Sequence, residues 1–203
     1  MDKIKIFLGL EAEMHSFPEL DTEGYDYLIG SCHFFEIEGE KVSCDRRAEV
    51  IKEVIDTYFG GDIYALIEAY YERVGQIVQL TGANIIGHFD LITKFQEQTP
   101  LVDETHPRYI AAWKKAVDAI LPHCQLFEIN TGAVSSGLRE LHPLTDIIKR
   151  YKELGGEIIT IGSDAHKPEN ICGYFNRAEE VLKECGFKYY TIFEKRVPEF
   201  KKL

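Results

Sequence analysis

Four short apolar runs of this chain each deliver a side chain of a type that can ligate a metal. Ile158-Ile159-Thr160-Ile161-Gly162-Ser163 leads into Asp164 and then His166. Ile85-Ile86-Gly87 leads into His88, and Tyr27-Leu28-Ile29-Gly30-Ser31-Cys32 into His33. Ile4-Lys5-Ile6-Phe7-Leu8-Gly9-Leu10 leads into Glu11. A mixture of imidazole and carboxylate suits zinc, manganese or iron. Such ions lower the pKa of bound water and steady developing oxyanions, which is the chemistry of metal-assisted hydrolysis. Residues i and i+2 of extended backbone project to one side, so Asp164 and His166 are expected to face one pocket. Each residue also has a plainer explanation. A lone strand-end histidine can be a satisfied polar group, Asp164 a turn cap, and Glu11 a surface carboxylate. Their recurrence at separate strand ends favours the metal site.

Other side chains are weaker candidates. Asn130-Thr131-Gly132-Ala133-Val134-Ser135-Ser136-Gly137-Leu138-Arg139 is rich in small residues. Its backbone N–H groups could meet an anion and Arg139 could clamp a phosphate; a flexible loop with a surface Arg is the equal alternative. Glu128 and Asn130 share a strand face and could line the same mouth. His15, four residues after Glu11, could support a ligand or face substrate. Cys32 is a poor nucleophile candidate, because the neighbouring His33 would point to the opposite strand face. Turns beside proline account for His106 and His142, and a helix end accounts for His123.

These side chains need strands that end together. Strands are expected at Lys3–Gly9, Tyr27–Ser31, Asn84–Gly87, Leu126–Asn130, Glu157–Gly162 and Tyr189–Phe193. Helices are expected at Arg46–Tyr58, Ile63–Leu80, Pro107–Leu121, Leu144–Leu154 and Arg177–Glu184. Asp62 is a plausible N-cap, Pro107 suits a first helical turn, and Gly155-Gly156 and Gly186 suit helix ends. The alternation points to one α/β domain over residues 1–203 with a mostly parallel sheet. Segments 36–45 and 94–106 follow candidate ligands and read as loops, the first with a possible hairpin. Six strands fall short of a closed parallel barrel. One or two further βα units, at roughly 30 residues each, are therefore expected before Met1.

Composition narrows the partners. A formal charge of −11 argues against nucleic acid or an anionic membrane as partner. No apolar stretch approaches the ~20 residues of a membrane span, and no basic, apolar leader opens the chain. The cysteines at 32, 44, 124, 172 and 185 are dispersed and odd in number, which fits reduced thiols in the cytoplasm.

Several runs resemble the histidinol-phosphatase branch of the PHP (polymerase and histidinol phosphatase) superfamily. They are Gly9-Leu10-Glu11, Ile29-Gly30-Ser31-Cys32-His33-Phe34, Ile86-Gly87-His88-Phe89-Asp90-Leu91, Phe127-Glu128-Ile129-Asn130-Thr131 and Gly162-Ser163-Asp164-Ala165-His166. Tyr58-Phe59-Gly60-Gly61-Asp62 and Tyr70-Tyr71 fit as well. The resemblance implies a distorted seven-stranded barrel, up to three divalent ions, and hydrolysis of L-histidinol phosphate in histidine biosynthesis. It implies Glu11 bridging two ions, His33 and His88 completing one of them, Asp164 on its neighbour and His166 on the third. Arg139 would contact substrate phosphate. Lys167 stands where many members carry an Arg, keeping the charge but losing the planar fork. The chain has no His-x-His motif, the motif that opens family members, so two of the ions would lack imidazole ligands. The alternatives are another phosphoesterase of the superfamily and a non-catalytic metal-binding remnant.

Overall fold

The computed structural model describes residues 4–16, 19–122 and 126–203. His123 and Cys124, and Lys3 at the start of the first expected strand, lie outside the described residues. The elements run β1 (Gly9–Glu13), β2 (Tyr27–Ser31), β3 (Phe34–Ile37), β4 (Glu40–Ser43), α1 (Ala48–Tyr58), α2 (Ile63–Val74), α3 (Ile77–Thr81) and β5 (Ile85–Ile86). They continue as α4 (Pro107–Ile120), β6 (Leu126–Asn130), α5 (Gly132–Ser135), α6 (Thr145–Glu153), β7 (Ile158–Gly162), α7 (Phe175–Glu184), β8 (Tyr189–Glu194) and β9 (Val197–Lys202). The central sheet is parallel in the order β1-β2-β5-β6-β7. Parallel neighbours bring their C-terminal ends to one edge, where α/β proteins bind ligands.

Period-two alternation divides the sheet into two chemical faces. In β6, Phe127 and Ile129 are sealed in the apolar core, while Glu128 and Asn130 line a cavity on the opposite face. The helices cover the first face. Tyr71 of α2, Phe89, Phe127 and Tyr151 of α6 form a run of ring contacts at 5.3, 5.0 and 4.7 Å. Their polar tips are bonded inside the core: Tyr71 Oη donates to Tyr109 Oη at 3.4 Å and Tyr151 Oη to the Ile158 carbonyl at 2.8 Å. Large rings bury much apolar area while each hydroxyl keeps a partner.

Most sequence expectations match to within a residue or two. Asp62 caps α2, accepting from the N–H groups of Tyr64 and Ala65 at 2.9 and 3.3 Å. His106 caps α4, accepting from the Arg108 N–H at 3.2 Å. The hairpin offered for segment 36–45 forms two residues earlier, with β3 (Phe34–Ile37) paired antiparallel to β4 (Glu40–Ser43).

Three expectations are corrected. Ladder pairing of the first strand begins at Gly9 opposite Tyr27, so Glu11 stands inside a strand rather than after one. Residues 4–8 precede that ladder, and Ile4, Ile6 and Leu8 are exposed. The expected helix over residues 63–80 breaks at Gly75 and Gln76 into α2 and α3, where glycine lowers helix propensity. The last expected strand, β8, does not join the parallel sheet. It pairs antiparallel with β9 across Lys195-Arg196, both with positive φ, the backbone of a tight hairpin turn. Pro198 masks β9 in the sequence. Cys32, Cys44, Cys172 and Cys185 are free thiols. Among the described residues, no helix is long and apolar enough to cross a membrane.

Gly30 lets β2 approach α3 and the residue Ala83 that follows it. A Cβ there would fall 2.5 Å from Ile77 Cγ2 and 2.9 Å from Ala83 Cβ. Overpacking of this kind costs about 1–3 kcal/mol. Gly30→Ala is therefore expected to lower unfolding free energy by that amount in urea denaturation. A variant within ~0.5 kcal/mol of the parent, the usual scatter for neutral sites, would contradict the packing described.

Candidate metal centre

Glu11, His33 and His88 come from β1, the residues after β2 and the residues after β5, and offer ligand atoms within 4.8 Å of one another. Both imidazoles turn Nε2 toward one carboxylate oxygen. Glu11 Oε1 lies 3.1 Å from His88 Nε2 and 3.7 Å from His33 Nε2. Ser31 Oγ donates to the same oxygen at 2.6 Å. The hydrogen bond from His88, opposed by desolvation and helped by Ser31, holds the Glu11 carboxyl ionised down to about 2. A carboxylate that stays charged is the form a cation needs.

The second layer of contacts orients this set. Glu13 Oε2 accepts from the His33 backbone N–H at 2.7 Å and lies 3.2 Å from His33 Nδ1. Burial lowers the His33 pKa, but Glu13 and then Glu11 outweigh it, so the net shift is upward. Glu128 Oε2 accepts from the His88 backbone N–H at 3.3 Å and from Asn130 Nδ2 at 3.2 Å. Burial pushes the Glu128 carboxyl above its usual range. Asn130 Oδ1 accepts from the Gly132 N–H at 2.7 Å, closing the turn after β6.

Backbone shape fits the same purpose. His88 and Asp164 have φ of 24° and 45°, a region that residues with a Cβ enter at a cost and that clusters at functional sites. Gly87 and Gly162 stand just before them. A Cβ at Gly87 would lie 2.6 Å from Ser31 Oγ, and one at Gly162 would lie 1.9 Å from Glu128 Oε1. Both positions exclude any larger residue while their neighbours keep these contacts.

The site opens on two cavities that share His88, Asn130 and Asp164. The larger, about 420 Å³, also takes in Glu11 and Glu128. The smaller, about 150 Å³, takes in Lys94, His142 and His166. Asp164 therefore stands beside the triad, with Oδ2 3.5 Å from Asn130 Nδ2, without joining its ligand cluster. His166 keeps 85% of its side chain exposed, its Nδ1 lying 2.9 Å from the Asp164 carbonyl. The extended backbone expected from Asp164 to His166 is absent, because β7 ends at Gly162 and Asp164 turns left-handed.

The remaining candidates lie apart. Arg139 is exposed, and its backbone N–H donates to Glu97 Oε1 at 2.6 Å. Lys167 is exposed at the start of the short Pro168–Asn170 turn. His15 is half-buried after β1, with Nε2 enclosed and unpaired. None of the three lines either cavity.

Sequence reading missed Ser31 and Glu13. Glu13 had a signal, since it follows Glu11 at the i+2 spacing already applied to Asp164. Ser31 could have been found as the last residue of the expected strand, two before His33.

The donors fit a divalent ion: two imidazoles and an ionised carboxylate meet at one point, and His88 Nδ1 and Glu13 Oε1 are buried without partners. Removing a hydrogen bond that orients a metal ligand typically costs 10–100-fold in affinity. Ser31→Ala is expected to weaken zinc binding by roughly that factor in a competition titration against a chelator. Unchanged zinc affinity would show that Ser31 does not support Glu11.

A model of the PHP domain family matches residues 1–132. A probable histidinol-phosphatase of Schizosaccharomyces pombe is 24% identical over 204 residues, covering 96% of this chain and 64% of that protein. One from Clostridium acetobutylicum is 27% identical over 199 residues, covering 97% of this chain and 72% of that protein. The Lactococcus lactis histidinol phosphate phosphatase, solved with zinc, L-histidinol and phosphate, superposes with a TM-score of 0.68 at 20% identity. That alignment covers 98% of this chain and 73% of the Lactococcus chain. The chain spans 64% to 73% of the lengths of these proteins. A family model matching well over half of the sequence places the chain in the PHP domain family.

Proposed function

We propose that the chain is a metal-dependent phosphomonoester hydrolase that converts L-histidinol phosphate and water to L-histidinol and phosphate. The observation that carries this reading is the convergence of Glu11, His33 and His88 from separate strand ends. The substrate is suggested by the relatives, named histidinol-phosphatases, and by the L-histidinol and phosphate in the Lactococcus structure. We extend the reading to the fold, taking residues 1–203 as part of one distorted seven-stranded barrel domain.

A bound zinc, manganese or iron ion would supply a nucleophilic water near neutral pH and offset phosphoryl charge. Glu11, His33 and His88 would hold one ion, and Asp164 and His166 would serve neighbouring ions. The chain itself supplies the geometry. Glu11 stays ionised, Ser31 fixes its oxygen, and Glu13 sets the His33 ring. We assign proton handling to Asp164, whose carboxylate opens on the shared cavities. Arg139 and Lys167 enter the reading as substrate contacts on the strength of sequence motif, and His15 by its position four residues after Glu11. A second reading is a one-ion binding protein without turnover. The 85% exposure of His166 favours it, because an exposed imidazole brings few neighbours to a third ion.

Phosphate release from L-histidinol phosphate, measured with and without zinc or manganese, tests the assignment. Metal-stimulated release is expected, falling at least about 100-fold in His88→Ala, which removes a ligand. Zinc bound at one equivalent with no release would favour the one-ion reading. Equal release by the parent and His88→Ala would remove the triad from the mechanism.

A further inference from the structure

Asp90 and His142 form a buried pair that the proposed hydrolysis leaves without a task. Asp90 is 0% exposed and His142 is 7% exposed. Asp90 Oδ1 lies 2.7 Å from His142 Nδ1, and Oδ2 accepts from the Leu144 N–H at 2.8 Å. His142 also exchanges two backbone hydrogen bonds with Asn130, at 2.6 and 3.2 Å. Ring and carboxylate are thus held from behind, and neither turns without leaving a buried polar group unpaired.

The other ring nitrogen faces differently. Among the described residues, His142 Nε2 makes no hydrogen bond, yet it is not among the enclosed unpaired atoms. His142 lines the smaller cavity together with His88, Lys94, Asp164 and His166. A histidine serving only to fill the core would have both nitrogens paired or sealed. Here one nitrogen is anchored and the other is offered to a polar cavity that adjoins the metal ligands.

The charges select the ligand. His142 is the ion-pair partner of Asp90 among the described residues, and a buried carboxylate requires such compensation. An imidazolium engaged through Nδ1 presents Nε2–H as a donor. Lys94, which also pairs with Asp45 at 3.6 Å, lines the same cavity along with the Asp164 carboxylate and adds a cation that suits an anion.

We propose that His142 is a substrate-binding residue, its Nε2–H donating to a phosphoryl oxygen of a phosphate monoester bound in the smaller cavity, with Asp90 as its positioning residue. This rests on the phosphoester reading above.

The probe is inorganic phosphate, titrated into zinc-loaded protein. His142→Asn keeps an N–H near the Nδ1 position for Asp90 and removes the group facing the cavity. It is expected to weaken phosphate binding roughly tenfold, as befits one charge-assisted hydrogen bond, while zinc content stays unchanged and the urea midpoint falls because Asp90 loses its charged partner. His142→Gln, whose amide reaches toward the Nε2 position, should recover part of the affinity. In the unaltered protein, the His142 imidazole ¹⁵N signals should shift on adding phosphate, a readout independent of how the variants fold. Phosphate binding by the parent with equal binding by His142→Asn, or with no ¹⁵N shift at saturation, would overturn the proposal alone. Failure of zinc-loaded parent to bind phosphate at all would overturn the phosphoester reading and this proposal with it.

Discussion

The site depends on one carboxylate oxygen. Glu11 Oε1 is the point toward which His33 and His88 both turn, and Ser31 donates to it as well. Those neighbours keep the group ionised against the cost of partial burial. Charge fixed in this way orders the side chains around it. It also explains why the carboxylate needs three strands to hold it: Glu11 lies in β1, Ser31 in β2, and His88 just beyond β5. Shifting any of these strands by one residue would turn its contribution to the helix-covered face.

The sheet makes this possible by keeping two chemistries on opposite sides. Phe127 and Ile129 bind the sheet to its helices, while Glu128 and Asn130, alternating with them, belong to the site. Core stability and polar chemistry therefore use the same five residues of β6 without competing. Polar groups on the site side are costly when buried, and the structure answers with a connected set of bonds. Asn130 reaches Glu128, Asp164 and the Gly132 N–H, so one amide ties the ends of β6 and β7 together. The acid-lined cavity beside the triad and the smaller cavity around Lys94 and His142 meet at His88, Asn130 and Asp164.

Much of this was legible in the chain, and the exceptions have physical causes. β2 and β6 were readable because short β-branched or aromatic runs there end at small or polar residues, and both match residue for residue. The first strand was displaced because apolar character in Ile4, Ile6 and Leu8 marks extended propensity, whereas ladder pairing waits for a neighbour at Tyr27. The hairpin partner of β8 was missed because Pro198 argues locally against a strand, and only pairing in space shows it. Glu11, His33 and His88 were legible as ligand candidates because each follows an apolar run. Glu13 and Ser31 were not, since their role is to bond other side chains rather than to announce a chemistry.

Residue types and their spacing by themselves determined the α/β alternation, the ligand-type side chains at strand ends and the likeness to the PHP family. Those properties are local: they depend on period, on a glycine before a histidine, and on short motifs. Tertiary structure alone decided which ligands meet. It brought Glu11, His33 and His88 together across 77 positions of sequence, left His166 largely in solvent, and turned His142 from a residue before a proline into the partner of buried Asp90. The reason is that coordination and ion pairing act over a few ångströms. Distances of that size between remote residues are set by strand order and register, which no local pattern encodes.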